Sequence, residues 1–247
     1  MTQRGTLLTL GGGGFSMPDV RAGSDAPSPL DDLILSLVTD PRGTGGLPRV
    51  CFVPTASGDS AEYVERFHAG FAGRAETSVL ALFGLSELEG RSLREHVLDQ
   101  DVVYVGGGST ANLLALWRLH GLDVVLREAL AAGVVVAGIS AGMNCWFEGS
   151  STDSFGPLAP LADGLGLLPG SACPHYDGEA ERQESFRAFI GSGALPTGWA
   201  LDDGVALHWR DGELVEAVSE RPGGRAVLVR PDGAGGAVEE PLAVRLL

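Results

Sequence analysis

Short apolar, β-branched runs alternate with stretches of helical periodicity over the first two-thirds of the chain. Residues 6–10 read as a strand that runs into four glycines, Gly11, Gly12, Gly13 and Gly14. A helix follows around 30–38, then a strand at 49–54 and a helix near 60–72. Further strands are expected at 77–82 and 101–105, helices at 111–119 and 122–132, and a strand at 134–137. Strands separated by helices at this spacing imply right-handed crossovers and a parallel sheet covered on both faces.

After about residue 195 the texture changes. Short apolar runs at 199–201, 205–209, 213–218, 225–229 and 242–246 are separated by turn formers, and Asp211-Gly212 is a two-residue hairpin signal. These runs are expected to extend the sheet as antiparallel strands. The Pro-, Gly- and Ser-rich stretches at 18–29 and 41–48 read as surface loops, and neither an internal repeat nor a long linker interrupts the pattern. The expectation is one α/β domain over 1–247: a mostly parallel sheet with helices on both faces, and antiparallel strands added by the C-terminal segment.

Composition narrows the partners. A net charge of −15 with no basic run argues against nucleic acid and against an anionic membrane surface. No stretch approaches the ~18–20 apolar residues of a membrane span, and the N-terminal apolar run is too short for a signal peptide. Cys51, Cys145 and Cys173 are scattered without disulfide or zinc-ligand spacing, which suits a reducing cytoplasm.

The chemistry concentrates after the strand at 134–137. Gly138-Ile139-Ser140-Ala141-Gly142 has the G-x-S-x-G spacing of a nucleophile elbow, in which a tight strand-to-helix turn lifts a serine out of the backbone. Two other glycine turns follow strands, at 11–14 and 106–108. Neither matches a dinucleotide or P-loop fingerprint. In an open parallel sheet all three turns could face one crevice, so the 106–110 loop is suited to donate a backbone N–H to an oxyanion, with Ala141 as the second donor. Of the five histidines, His68, His96 and His120 fall in or at the ends of expected helices and His208 in a strand. His175, held behind Pro174 and just ahead of a helix beginning near Glu179, is the candidate base. For the carboxylate that orients the imidazole, the segment between serine and histidine offers Glu148, Asp153 and Asp163; Asp203, in the Asp202-Asp203-Gly204 turn, is a rival beyond it.

Together these motifs resemble the peptidase E family of serine peptidases, which includes alpha-aspartyl dipeptidase and has cyanophycinase as a relative. The resemblance rests on Val105-Gly106-Gly107-Gly108-Ser109-Thr110, on Ile139-Ser140-Ala141-Gly142-Met143-Asn144, on Pro174-His175-Tyr176, and on the helix at 179–190 carrying Arg182. It implies a class I glutamine amidotransferase-like fold with serine where those enzymes carry cysteine. It further implies Ser140 as nucleophile, His175 as base, Asp153 as the orienting acid, Gly108 and Ala141 as the oxyanion hole, and Arg182 as partner of a substrate carboxylate.

The expected function is therefore hydrolysis of short peptides, foremost dipeptides with N-terminal aspartate, through an acyl-enzyme and without metal or organic cofactor. A small peptide is the expected partner, and a homodimer stays open. Cyanophycinase-like cleavage of aspartate–arginine isopeptide units is the alternative within hydrolases. An α/β-hydrolase esterase fits less well, because no His-Gly-Gly-Gly motif appears. A non-catalytic small-molecule-binding module on the same scaffold is the alternative from another class.

Overall fold

Parallel pairing in the first half sets the frame. The computed structural model describes residues 5–21, 26–84, 88, 90–178 and 180–247; the expected loop at 18–29 and helix start at Glu179 lie partly outside them. Strands β1 (Thr6–Leu10), β2 (Arg49–Val53), β3 (Glu76–Val79), β4 (Val102–Val105) and β5 (Val135–Ile139) lie parallel in the order β1-β5-β4-β2-β3. β4 and β5 are buried along their whole length, which is why they read as unbroken apolar runs rather than as an alternating pattern.

Alternate residues of these strands feed two cores. Val50, Phe52, Val102 and Tyr104 meet α1 (Pro29–Ser36) and α2 (Ala61–Phe71) on one face. There Phe15, Phe52, Tyr63, Phe67, Phe71 and Tyr104 form an aromatic cluster, with Phe52 stacked on Phe67 at 4.8 Å. Cys51, Val53, Val103 and Val105 meet α3 (Leu93–Leu98), α4 (Thr110–His120) and α5 (Leu122–Ala131) on the other. The sheet is thus covered on both faces, as in class I glutamine amidotransferase-like folds. None of the helices is long and apolar enough to cross a membrane, among the described residues.

The short helix α6 (Ala141–Asn144) follows β5 and ends at once, because Phe147 already starts a strand. Strands β6 (Phe147–Thr152), β7 (Ala159–Leu161), β8 (Leu168–Cys173) and β9 (Gly198–Leu201) belong to a second sheet, with helix α7 (Ala180–Gly191) inserted between β8 and β9. β10 (Val205–Arg210) and β11 (Glu213–Ser219) return to the first sheet. Asp211 and Gly212, both at positive φ (54° and 82°), make the expected hairpin turn. β12 (Ala226–Pro231) and β13 (Ala237–Pro241) go to the second sheet, and β14 (Val244–Leu246) closes the edge of the first beside β11.

The C-terminal strands therefore divide. β10 and β11 extend the main sheet antiparallel as expected; β14 joins it parallel to β11 rather than antiparallel, and β9 and β12 go instead to the second sheet. The physical reason is the segment after the elbow, which supplies two parallel strands of its own. β8 offers a free edge to which β9 pairs (Ser171 opposite Gly198), and β12 adds next to β9. Tyr176, Phe186, Ile190 and Leu195 pack on Val227 and Val229 to give this sheet its core.

Candidate active site

At the carboxyl end of β5 the chain turns through Ser140 at φ 57°, ψ −113°, a conformation that costs energy for any residue with a Cβ and that clusters at functional sites. Two close approaches enforce the turn. A Cβ on Gly138 would lie 2.1 Å from the Gly142 carbonyl oxygen, and one on Gly142 would lie 2.4 Å from that of Val105. Ser140 N–H donates to the Leu10 carbonyl (3.1 Å), and the Ser140 carbonyl accepts from Met143 and Asn144 N–H at 2.9 Å each. The side chain is thereby held outward over the end of the sheet.

His175 arrives from the other sheet, in the loop after β8. Its backbone is also in the left-handed region (φ 53°), and its N–H donates to the Gly11 carbonyl at 3.2 Å. That anchor sets the ring between two partners. Nε2 lies 2.9 Å from Ser140 Oγ, and Nδ1 lies 2.6 Å from Asp203 Oδ1.

The carboxylate behind the imidazole is thus Asp203, not Asp153. Asp203 stands in the turn between β9 and β10, beside the first glycine loop, where Gly204 N–H donates to the Gly12 carbonyl (3.1 Å). Its neighbour Asp202 is buried and occupied by Arg225 (2.9 and 3.2 Å), so the two adjacent aspartates have separate tasks. Asp153, at the end of β6, instead meets Arg182 Nη2 at 3.3 Å. Glu148, on β6, accepts from Gly170 N–H, and Asp163 is held by Arg118. Neither is on His175. Sequence order made Asp203 only a rival to Asp153, because it follows the histidine by 28 residues and reaches it through the pairing of β10 with β1. The readable signal was a doubly acidic turn between two apolar runs.

The glycine loop after β4 faces Ser140; a Cβ on Gly107 would lie 3.1 Å from that of Ser140. Gly106 N–H donates to the Val53 carbonyl, Gly107 N–H to Tyr63 Oη and Ser109 N–H to the Ala56 carbonyl. Among the described residues neither Gly108 N–H nor Ala141 N–H makes such a bond. Both residues line the same cavity as Ser140 and His175, about 190 Å³ in volume.

Apart from Pro174, the rest of that cavity is polar. Thr110, Asn144, Ser151, Thr152, Asp153 and Arg182 contribute to it, and Arg182 is largely buried. Asn144 Nδ2 donates to Thr110 Oγ1 (3.2 Å) and to the Ser151 carbonyl (3.3 Å). Since a carbonyl can only accept, this fixes the amide orientation, and Asn144 Oδ1 is left buried without a protein partner among the described residues. Asn144 escaped the sequence reading, although it follows the elbow serine by one helical turn.

The thiols are elsewhere. All three cysteines are buried, and burial pushes Cys51 and Cys173 up to about 12 and Cys145 well above the ordinary thiol range. Among the described residues no group of three His, Cys, Asp or Glu side chains is arranged to hold a metal ion.

Residues 22–217 match the sequence model of Peptidase family S51. The chain belongs to that family. It is 46% identical over 224 residues to an uncharacterized peptidase, YgaJ, of Bacillus subtilis strain 168, covering 90% of this chain and 91% of that protein. It is 30% identical over 167 residues to peptidase E of Streptomyces coelicolor, covering 62% of this chain and 66% of the relative. Among solved structures, a peptidase from an acI-B1 actinobacterium superposes with a TM-score of 0.69 at 18% identity, over 98% of this chain and 96% of that one. This S51 member is therefore a peptidase with the family's α/β fold.

Proposed function

We propose that this S51 member is a serine peptidase of short peptides, foremost dipeptides with N-terminal aspartate, acting through Ser140, His175 and Asp203. The observation that carries the reading is the unbroken relay from Ser140 Oγ through both ring nitrogens of His175 to Asp203, opening on a small polar cavity. Asp203 accepts the Nδ1–H and so leaves Nε2 free to take the serine proton. Ser140 Oγ then attacks the carbonyl carbon of the first residue. Gly108 and Ala141 N–H stabilise the charge on the tetrahedral oxygen, where a preorganised donor counts for most. His175 gives its proton to the leaving amine. Water, deprotonated by the same ring, hydrolyses the acyl-enzyme.

Substrate choice follows from the cavity wall. Arg182 presents a guanidinium suited to bidentate binding of a substrate carboxylate. Asn144 Oδ1 and the Asp153 carboxylate are acceptors for the substrate's ammonium group. The cavity is smaller than the ~300–1,000 Å³ of pockets that take drug-sized ligands, which fits a single short residue. A protein of net charge −15 gains no long-range steering toward acidic peptides, so local cations must do the recognition.

The test is a comparison of kcat/KM for Asp-Leu, Ala-Leu and the isopeptide β-Asp-Arg with purified protein. The reading expects Asp-Leu to lead by roughly 100-fold, the scale of a lost charged contact. Equal rates, or preference for β-Asp-Arg, would overturn the substrate assignment. Absence of both peptide turnover and serine-probe labelling would overturn the serine-peptidase reading.

A further inference from the structure

The base and the acid of the proposed triad come from two separate loops, after β8 and between β9 and β10, so something must fix one against the other. The Asp203 N–H donates to Asp177 Oδ1 at 2.8 Å, and the Asp203 carbonyl accepts from Arg221 Nε at 2.6 Å. Arg221 also forms an ion pair with Asp177, closing a ring of three residues. Asp177 stands two positions after His175, and Arg221 lies just past the end of β11. The ring therefore ties the histidine loop, the aspartate turn and the main sheet together through the Asp203 backbone.

The same strand end holds the neighbouring loop. Ser219 Oγ donates to the Arg221 carbonyl at 2.7 Å, Glu220 N–H donates to the Gly204 carbonyl at 2.9 Å, and Glu220 Oε1 accepts from Gly14 N–H at 2.8 Å. The first glycine loop and the Asp203 turn are thus pinned to one point. Arg221 and Asp177 are each about one-quarter exposed (26% and 29%), and ion pairs so open to water add little to folding stability. Placement is what the ring supplies.

We propose that Asp177 and Arg221 are positioning residues, which hold the Asp203 carboxylate in line with His175 Nδ1 by gripping the Asp203 backbone from both sides. This rests on the serine-peptidase reading. Loss of either grip lets the turn rotate and lengthens the 2.6 Å contact, and misplacement on the ångström scale costs up to about 100-fold in rate. The effect falls on the chemical step and leaves the substrate wall at Arg182 and Asn144 untouched.

The experiment is a double-mutant cycle. Arg221→Gln, Asp177→Ala and the conservative Arg221→Lys are each made alone and with Asp203→Asn. For each, kcat and KM on Asp-Leu, the rate of serine phosphonylation by a fluorophosphonate probe, and the melting temperature are measured. Expected is a roughly 10–100-fold fall in kcat and phosphonylation for Arg221→Gln and Asp177→Ala, with KM nearly unchanged. Arg221→Lys recovers part of the rate, and none of the three slows the enzyme further once Asp203 is already Asn. Equal losses in both backgrounds, or no loss in either, overturn the positioning role. If Asp203→Asn itself leaves phosphonylation unchanged, the triad reading has failed and takes this inference with it.

Discussion

Asp203 Oδ1 lies 2.6 Å from His175 Nδ1, on the opposite side of the ring from Ser140. A carboxylate there selects the tautomer with its proton on Nδ1 and stabilises the imidazolium once the serine proton has moved. Asp153, which lies between serine and histidine in sequence, sits against Arg182 instead. The two aspartates should therefore fail in different ways.

Asp203→Asn should lower kcat on Asp-Leu by about 10³–10⁴, because an asparagine amide presents the wrong partner to the ring. Asp153→Asn should retain most of kcat and raise KM. Steady-state kinetics of the two variants separate the roles, and a kcat collapse in Asp153→Asn with a mild effect in Asp203→Asn would reverse them.

A methyl group on Gly12 would meet Asp203 Oδ1 at 2.0 Å and His175 Nδ1 at 3.2 Å. Gly12 is not at positive φ, so the obstacle is space and not backbone conformation. Gly12→Ala should fold, show a modest fall in melting temperature, and lose at least about tenfold in kcat as the aspartate is displaced. Unchanged kinetics would mean that the aspartate contact carries no rate.

Arg182→Gln removes the guanidinium from the cavity wall. Its kcat/KM for Asp-Leu should fall by about 100-fold while that for Ala-Leu changes little, since only the former offers a side-chain carboxylate. A parallel loss on both peptides would assign Arg182 to the architecture of the wall.

The buried, weakly acidic thiols should not react with a thiol reagent such as DTNB in the folded protein, and activity should survive that treatment. All three should titrate after denaturation. Rapid loss of activity with one thiol modified in the native protein would point to cysteine chemistry.

How much of this was legible in the sequence depends on range. β4 and β5 announced themselves as fully buried β-branched runs, and Asp211-Gly212 marked its hairpin correctly. The elbow at Ser140 and the loop at His175 were readable because local geometry dictates local residues there: glycines where Gly142 and Val105 crowd the turn, and a proline ahead of the histidine. The six-residue α3 around His96 has too little periodicity to give its bounds, though Ser92 and Glu95 form a capping box that signals its start. β13, Ala-Val-Glu-Glu-Pro at an exposed edge, carries too little apolar character to stand out. Asp203 needed the tertiary path. Its partner is fixed by β10 pairing back to β1 and by the grip of Asp177 and Arg221, none of which has a local pattern.

The most direct test of the central claim is the site and rate of covalent labelling by a fluorophosphonate, read by intact-mass and peptide mass spectrometry. The account predicts one label per chain, on Ser140, with labelling slowed at least about 100-fold in both His175→Ala and Asp203→Asn. Labelling at another residue, or labelling of Ser140 at an undiminished rate in both variants, would contradict it.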